Sequence, residues 1–389
     1  MLIGIDTRSM LNSALKLDYE IFSTSYFSTS DTPQIENQKI ILNEMADKSC
    51  GSFEDQFDPK RLLEISEDYI DEVDYIIPIS GVSPSDFSKG DKKKILGTSD
   101  VEDIEDKYRF YKKIQNEFTT PMTFRVSDMD EAIEINESHE DVQFILKPLQ
   151  GSGGYDVKLL GNDTAIQFND GEFILQEYVD GVSLSSSLLA SESDCETLIN
   201  TRLLTEHDLG GDTFRYIGNI LPLTSSSMMA DANDADMINR TMCETSENLA
   251  GKFNLRGSNG VDYILNENGL HVIEINPRIQ GTFECVEMSL GINMLDAHIM
   301  ACQENLIEVP KPKCYSYKKI VYSPTRMRYQ KISLDNIYDL PHMGSITEKD
   351  EPLLTIIDND SDFEKLCEKV ESASEIVNGE ARKNQLDAE

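Results

Sequence analysis

Between residues 260 and 278 the chain carries Asp262, Glu274 and Asn276, with Arg278 just beyond Pro277. Two alternating apolar runs flank the turn-forming cluster Asn266–Gly269, so the stretch reads as a β-hairpin. Side chains two apart on a strand share a face, so Glu274 and Asn276 point the same way. With the turn centred near Glu267–Asn268, Asp262 falls almost opposite Glu274, about 5 Å away across the ladder. Two carboxylates that close repel each other, and a divalent cation is the usual reason to tolerate them. Hard oxygen donors with no His or Cys in the set select Mg²⁺ or Mn²⁺ over zinc. Arg278 would face the same cleft, and the group reads as a metal–phosphate site. The same short pattern also fits an ordinary exposed ribbon with charges on its wet face.

The upstream residues favour the first reading. Phe144–Pro148 is a short apolar strand carrying Lys147, and Gly151, Ser152, Gly153 and Gly154 follow it. A Gly-rich loop lets backbone N–H groups approach phosphate oxygens, and a strand-borne Lys adds a point charge. This is not a P-loop, because G-x-x-x-x-G-K-[ST] is absent. Farther on, Phe173-Ile174-Leu175 runs into Gln176, Glu177, Tyr178 and Val179, a strand ending at a polar hinge that can offer backbone groups to an adenine ring.

Lys107, Lys147-Pro148, Gly151–Gly154, Gln176–Val179, Asp262 and Glu274–Arg278 occur in ATP-grasp order and spacing. Over residues 1–310 the chain resembles the ATP-grasp superfamily, and within it the archaeal ATP-dependent carboligases. The tyramine–glutamate ligases look like a neighbouring branch. The opening Asp6-Thr7-Arg8 turn and the Ser13–Tyr19 stretch match the carboligase pattern. The resemblance implies an ATP-dependent ligase, joining a carboxylate to an amine through an acyl phosphate and releasing ADP and phosphate. It implies that Lys107 and Lys147 contact the ATP phosphates and that Gly151–Gly154 folds over them. Gln176–Val179 would bind adenine, Asp262, Glu274 and Asn276 would hold magnesium, and Arg278 would steady the acyl phosphate or tetrahedral intermediate. An amino acid or a coenzyme precursor is the implied substrate class. An ATP-binding regulatory protein and an ATP-grasp kinase are the alternatives. Two positions depart from the family: the ribose candidates are Ser183 and Asp180, and Gly260 stands where several amino-acid ligases carry an Arg.

A net charge of −36 over 389 residues argues against nucleic-acid binding, which needs Lys and Arg clusters that are missing here. Lys outnumbers Arg nearly two to one, which suits an ordinary lysine-rich cytoplasmic protein better than a halophilic one. The seven cysteines show no C-x-x-C pair, and no apolar run approaches a membrane span. The expected partners are therefore a small-molecule carboxylate and amine, with no membrane partner and with homodimerisation left open.

Positioning this chemistry requires an α/β chain, α+β in its ATP-grasp part, with four regions. Residues 1–100 alternate strands (2–5, 20–24, 75–78) with helices, as in a Rossmann-like unit whose loops at Asp6–Arg8 and Ser80–Val82 follow strand ends. Asp6 and Arg8 also fit a local salt bridge with capping. Residues 101–180 run from an acidic helix to the hinge, and residues 181–310 hold the metal hairpin and an amphipathic helix over 291–302. Residues 311–389 read as a small α/β module with strands at 319–322 and 353–357. A helix over 362–372 would follow, with Ser361 as its N-cap, and the end would fray from Asn378.

Overall fold

The computed structural model describes residues 1–42, 57–149, 151, 154, 157–161, 172–211, 213–228 and 231–386. The N-terminal strands form a parallel sheet in the order Asn37–Ile40, Phe22–Ser25, Leu2–Gly4, Ile77–Pro78. Leu2, Ile3 and Ile77 are buried. Helix Arg8–Ala14 joins the first two strands and helices Pro59–Ile65 and Glu67–Glu72 precede the last, while the parallel pair Phe22–Ser25/Asn37–Ile40 is joined by a helix-free crossover of eleven residues. The three expected strands appear with boundaries within two residues, and Asn37–Ile40 is an edge strand that was not expected.

The next unit is a four-stranded antiparallel sheet, ordered Thr123–Val126, Phe173–Glu177, Phe144–Pro148, Lys158–Leu159. Its inner face is closed by Val126, Ala132, Phe144, Leu146 and Leu175.

An eight-stranded antiparallel sheet follows, with the hairpin Gly257–Asn266/Gly269–Asn276 at one edge. Val182–Ala190 and Cys195–Thr205 come next, both faces covered. Leu188 joins the core under helix Ala232–Lys252, while its neighbour Leu189 joins the core under helices Phe283–Leu290 and Met294–Cys302. Continuous apolar runs in these strands follow from that two-sided burial. Beyond Tyr216–Leu221 the same sheet continues through Tyr315–Tyr322, Pro352–Asp360 and Ile337–Tyr338.

Three expectations need correction. The large sheet does not break at 310/311: Tyr315–Tyr322, Pro352–Asp360 and Ile337–Tyr338 extend it, and only the short strands Met327–Arg328 and Ile346–Thr347 pair apart from it. The 291–302 segment is not one amphipathic helix: Gly291, at φ +70°, terminates Phe283–Leu290, and Asn293 caps a second helix by accepting from the Asp296 N–H at 2.9 Å. That second helix buries Met294, Leu295, Ala297, His298, Ile299 and Ala301, because the N-terminal unit covers the side facing away from the sheet. The final helix runs over Phe363–Lys383, capped by Asp362 rather than Ser361. Leu366, Val370, Ala373, Val377 and Ala381 continue one buried stripe past the point where fraying was expected.

Candidate functional site

The hairpin register places Asp262 directly opposite Glu274 and Gly260 opposite Asn276. The two-residue turn Glu267–Asn268 is fixed by Gly269 at φ +116° and by the Asn266 side chain, which accepts from the Asn268 N–H at 2.9 Å. A register shift after Asp262 pairs Tyr263 with Val272, leaving Ile273 as the extra residue beside Glu274. Asp262 Oδ1 accepts from Ser185 Oγ at 2.6 Å, and its Oδ2 accepts from Asn276 Nδ2 at 2.8 Å. Arg278 Nη1 donates to Asn276 Oδ1 at 2.7 Å.

Both lysines expected at the phosphates arrive at this hairpin. Lys107 Nζ lies 3.4 Å from Glu274 Oε2 and donates to the Gly151 carbonyl at 2.8 Å. Lys147 Nζ donates to Gln176 Oε1 at 2.7 Å, and Gln176 is held in turn by Thr123 Oγ1 at 3.0 Å. Burial pushes Lys147 down to about 8, with Lys107 adding to the shift and Glu274 opposing it. Burial also pushes Asp262 up to about 7, reinforced by Glu274. Glu274 goes the other way: burial would raise it, but Lys107, Lys147 and Arg278 together hold it below the ordinary carboxylate range.

Two opposed carboxylates and an amide oxygen, with no His or Cys among them, fit a hard divalent cation such as Mg²⁺. The pushed-up Asp262 supports this fit, since a cation is what would make its ionised form favourable beside Glu274. The Asn276 carbonyl keeps a lone pair free after accepting from Arg278.

A cavity of about 380 Å³ joins these residues to the hinge. Lys107, Lys147, Gly151, Gly154, Gln176, Glu177, Tyr178, Val179, Ser183, Asp262, Glu274, Asn276 and Arg278 all line it. Residues 104–282 match the family described as ATP-grasp domain. This segment belongs to that family.

Beyond the segment, the chain is 28% identical over 364 residues to an uncharacterized protein of Methanocaldococcus jannaschii, covering 92% of this chain and 87% of that protein. It is 28% identical over 180 residues to the tyramine–L-glutamate ligase of Methanocaldococcus fervens, covering 46% of each. In fold it is similar to N5-carboxyaminoimidazole ribonucleotide synthetase from Thermotoga maritima, with a TM-score of 0.69 and 15% identity over 96% of this chain and 97% of that one.

Within the ATP-grasp domain the hinge differs in detail from expectation. The Gln176 side chain is committed to Lys147, and Glu177 Oε2 accepts from the Met122 N–H at 3.0 Å. The Glu177 and Tyr178 N–H groups are donated to the Met122 and Gln143 carbonyls. The Val179 N–H has no partner among the described residues. Of the ribose candidates, Ser183 lines the cavity and Asp180 is exposed. Ser152 and Gly153 lie outside the described residues.

Gly154, at φ +73°, sits where a Cβ would lie 2.1 Å from the Phe214 carbonyl oxygen, so only glycine fits this approach. Phe214 stacks on His207 at 4.8 Å and stands 5.8 Å from Tyr178, forming an aromatic wall that sequence reading did not anticipate. Gln280 was missed as well. It donates to Ser185 Oγ at 3.1 Å, stands 3.4 Å from Asp262 Oδ1, and occupies the space a side chain at Gly260 would need. The glycine departure at position 260 was the signal for it.

Two arginines outside the cleft are committed elsewhere. Arg215 lies with Cζ 3.6 Å from the Tyr322 ring centre and pairs with Glu206. Arg8 does not make a merely local pair: it is 1% exposed and reaches Glu284 and Asp339 at 2.7 Å each. Glu284 is therefore taken by Arg8 and Lys318, and Glu287 by Ser13 and Lys16, so Arg278 is not neutralised by either. No helix among the described residues is long and apolar enough to cross a membrane.

Proposed function

We propose that this chain joins a small-molecule carboxylate to an amine through an acyl phosphate, releasing ADP and phosphate. The observation that carries the reading is the convergence of Lys107, Lys147 and Arg278 on the opposed pair Asp262 and Glu274, at one end of a cavity whose other end presents the free Val179 N–H. The relative's name, tyramine–L-glutamate ligase, supports a carboxylate–amine pairing.

Val179 would orient the base of ATP, and Lys147 and Lys107 would hold its phosphates in line with the incoming carboxylate. Positioning and charge stabilisation supply most of the rate in phosphoryl transfer. When bound at Asp262, Glu274 and Asn276, Mg²⁺ supplies further neutralisation of phosphate oxygens. The planar fork of Arg278 suits two oxygens of the acyl phosphate and the tetrahedral intermediate after it. No enzyme nucleophile is needed in this scheme.

The test is a panel of carboxylates with ATP and Mg²⁺, assayed for ADP with an amine present or absent and, with hydroxylamine, for acyl hydroxamate. A ligase gives hydroxamate, and ADP that depends on both acid and amine. A stable phosphorylated acid as the end product would establish a kinase instead. Glu274→Gln should keep the fold, checked by circular dichroism, and lose nearly all ADP formation; wild-type-like ADP release would remove the hairpin from the site.

A further inference from the structure

Outside the opposed pair Asp262 and Glu274, Glu105 is a carboxylate whose ionised form both Arg278 and Lys107 favour. It ends the short helix Glu102–Glu105, which packs on the strand Gly269–Asn276, and the chain then turns so that Asp106 caps the helix bearing Lys107. Its Oε2 accepts from Ser83 Oγ at 2.6 Å, a residue of the N-terminal loop that follows the last parallel strand. Among the described residues, Oε1 has no hydrogen-bond partner. Glu105 also forms part of the boundary between two spaces. One is a small gap shared with Arg278 and Pro277, and the other is an open cavity of about 330 Å³ that includes Ser83, Asp86, Glu102, Asp106 and Arg109.

We propose that Glu105 is the general base that deprotonates the amine substrate, a primary amine arriving as its ammonium ion through the acidic cavity. The proposal rests on the ligase reading above. Ser83 holds one carboxylate oxygen and leaves the other aimed for a proton. Oε1 takes one proton from R–NH₃⁺, and the freed lone pair attacks the acyl carbon. The C–N bond forms, the C–O bond to phosphate breaks with its electron pair on phosphate, and the remaining excess amine proton goes to that phosphate. Arg278 lines the same small gap as Glu105, and the ligase reading assigns it to the acyl phosphate. The cavity's four carboxylates outnumber its one Arg, which favours entry of a cation.

Burial pushes Glu105 up from the ordinary carboxylate range, while Ser83, Arg278 and Lys107 oppose the shift and Asp86 adds to it. A raised carboxyl is a better proton acceptor than a free one, the direction general-base work requires.

Hydroxylamine separates the steps, because it is uncharged at neutral pH and needs no base to free its lone pair. With the carboxylate selected by the hydroxamate panel, Glu105→Gln should lower alkylamine ligation about 100-fold more than hydroxamate formation. The residual ligation of the variant should climb with pH as free amine accumulates, whereas the wild type should level off once Glu105 is ionised. Ser83→Ala should shift the same ratio in the same direction by less, and it covers the case in which Glu105→Gln does not fold. An equal fall with both nucleophiles, or an unchanged pH profile, would overturn the role of Glu105 and leave the ligase reading standing. No hydroxamate from the wild-type protein with any acid would overturn the ligase reading and this proposal with it.

Discussion

At the scale of single residues the site is a balance of charge in which two opposed carboxylates are offset by three cations. Among the described residues Arg278 makes no close ion pair, acts on Glu274 and Glu105 through its charge alone, and has its one hydrogen bond to a side chain with the neutral Asn276. Arg278→Lys keeps the charge and loses the fork, so turnover should fall about 100-fold with little change in ATP affinity, judged by steady-state rates and calorimetry. A near-normal turnover number would return Arg278 to a structural role. Lys147 gives the pH dependence. Its folded value of about 8 lies below the ordinary 10.5, so its charge is lost as pH rises through about 8. ATP phosphates favour the charged form; the Kd for ATP should be flat below pH 8 and weaken about tenfold per pH unit above it. Fold stability moves oppositely: between about 8 and 10.5 the unfolded chain binds more protons at this lysine, so its contribution to stability rises with pH. Lys147→Met should abolish the break in the affinity profile; a break that survives belongs to another group.

At the scale of elements, the hairpin was legible because a strand has period two and its turn carries Asn266 and Gly269. Those features fix the register that sets Asp262 against Glu274. The hinge strand and the Lys147 strand were legible for the same reason. What failed was anything decided across elements. Gln280 enters the site from a loop and fills the space above Gly260, a contact no local pattern encodes. The last helix is longer than its pattern suggests because Ala373, Ser374 and Ala381 mark much of the buried stripe with small residues, and Asn378 and Gly379 interrupt the apolar run between the buried Val377 and Ala381. Gly260→Ala tests the first case. Its Cβ would meet Gln280 Cδ at 1.8 Å, so the amide must swing off Ser185 and Asp262. Overpacking of this kind costs about 1–3 kcal/mol, and turnover should fall as Asp262 loses its support. Adding Gln280→Ala should restore the melting temperature and not the turnover. If the double variant recovers both, Gln280 is only a packing neighbour.

Across the whole molecule one buried arginine ties three regions together. Arg8 opens the first helix of the N-terminal unit, Glu284 belongs to the helix that follows the Asp262–Glu274 hairpin, and Asp339 comes from the C-terminal extension of the large sheet. Asp31 stands 3.8 Å from the same guanidinium and accepts the Asp339 and Leu340 N–H groups, with Asp339 held at φ +55°. Removing the cation leaves several carboxylates facing one another in a chain already carrying a net charge of −36. Arg8→Met should therefore cost about 3–5 kcal/mol, the range for breaking a buried pair by removing one partner. The sign of its pH dependence follows from Asp6, which burial and Asp339 push up to about 7 and Arg8 pulls down. A carboxyl raised in the folded state contributes stability that is present below its unfolded value and lost as pH rises through the folded one. Without Arg8 that folded value moves higher and Asp339 loses the partner that holds it low, so both carboxyls favour protonation more strongly. The gap in melting temperature between Arg8→Met and wild type should be widest near pH 8 and narrow on acidification to about pH 6. A variant that melts with wild type at pH 8 would show that the three regions are held by their apolar contacts alone.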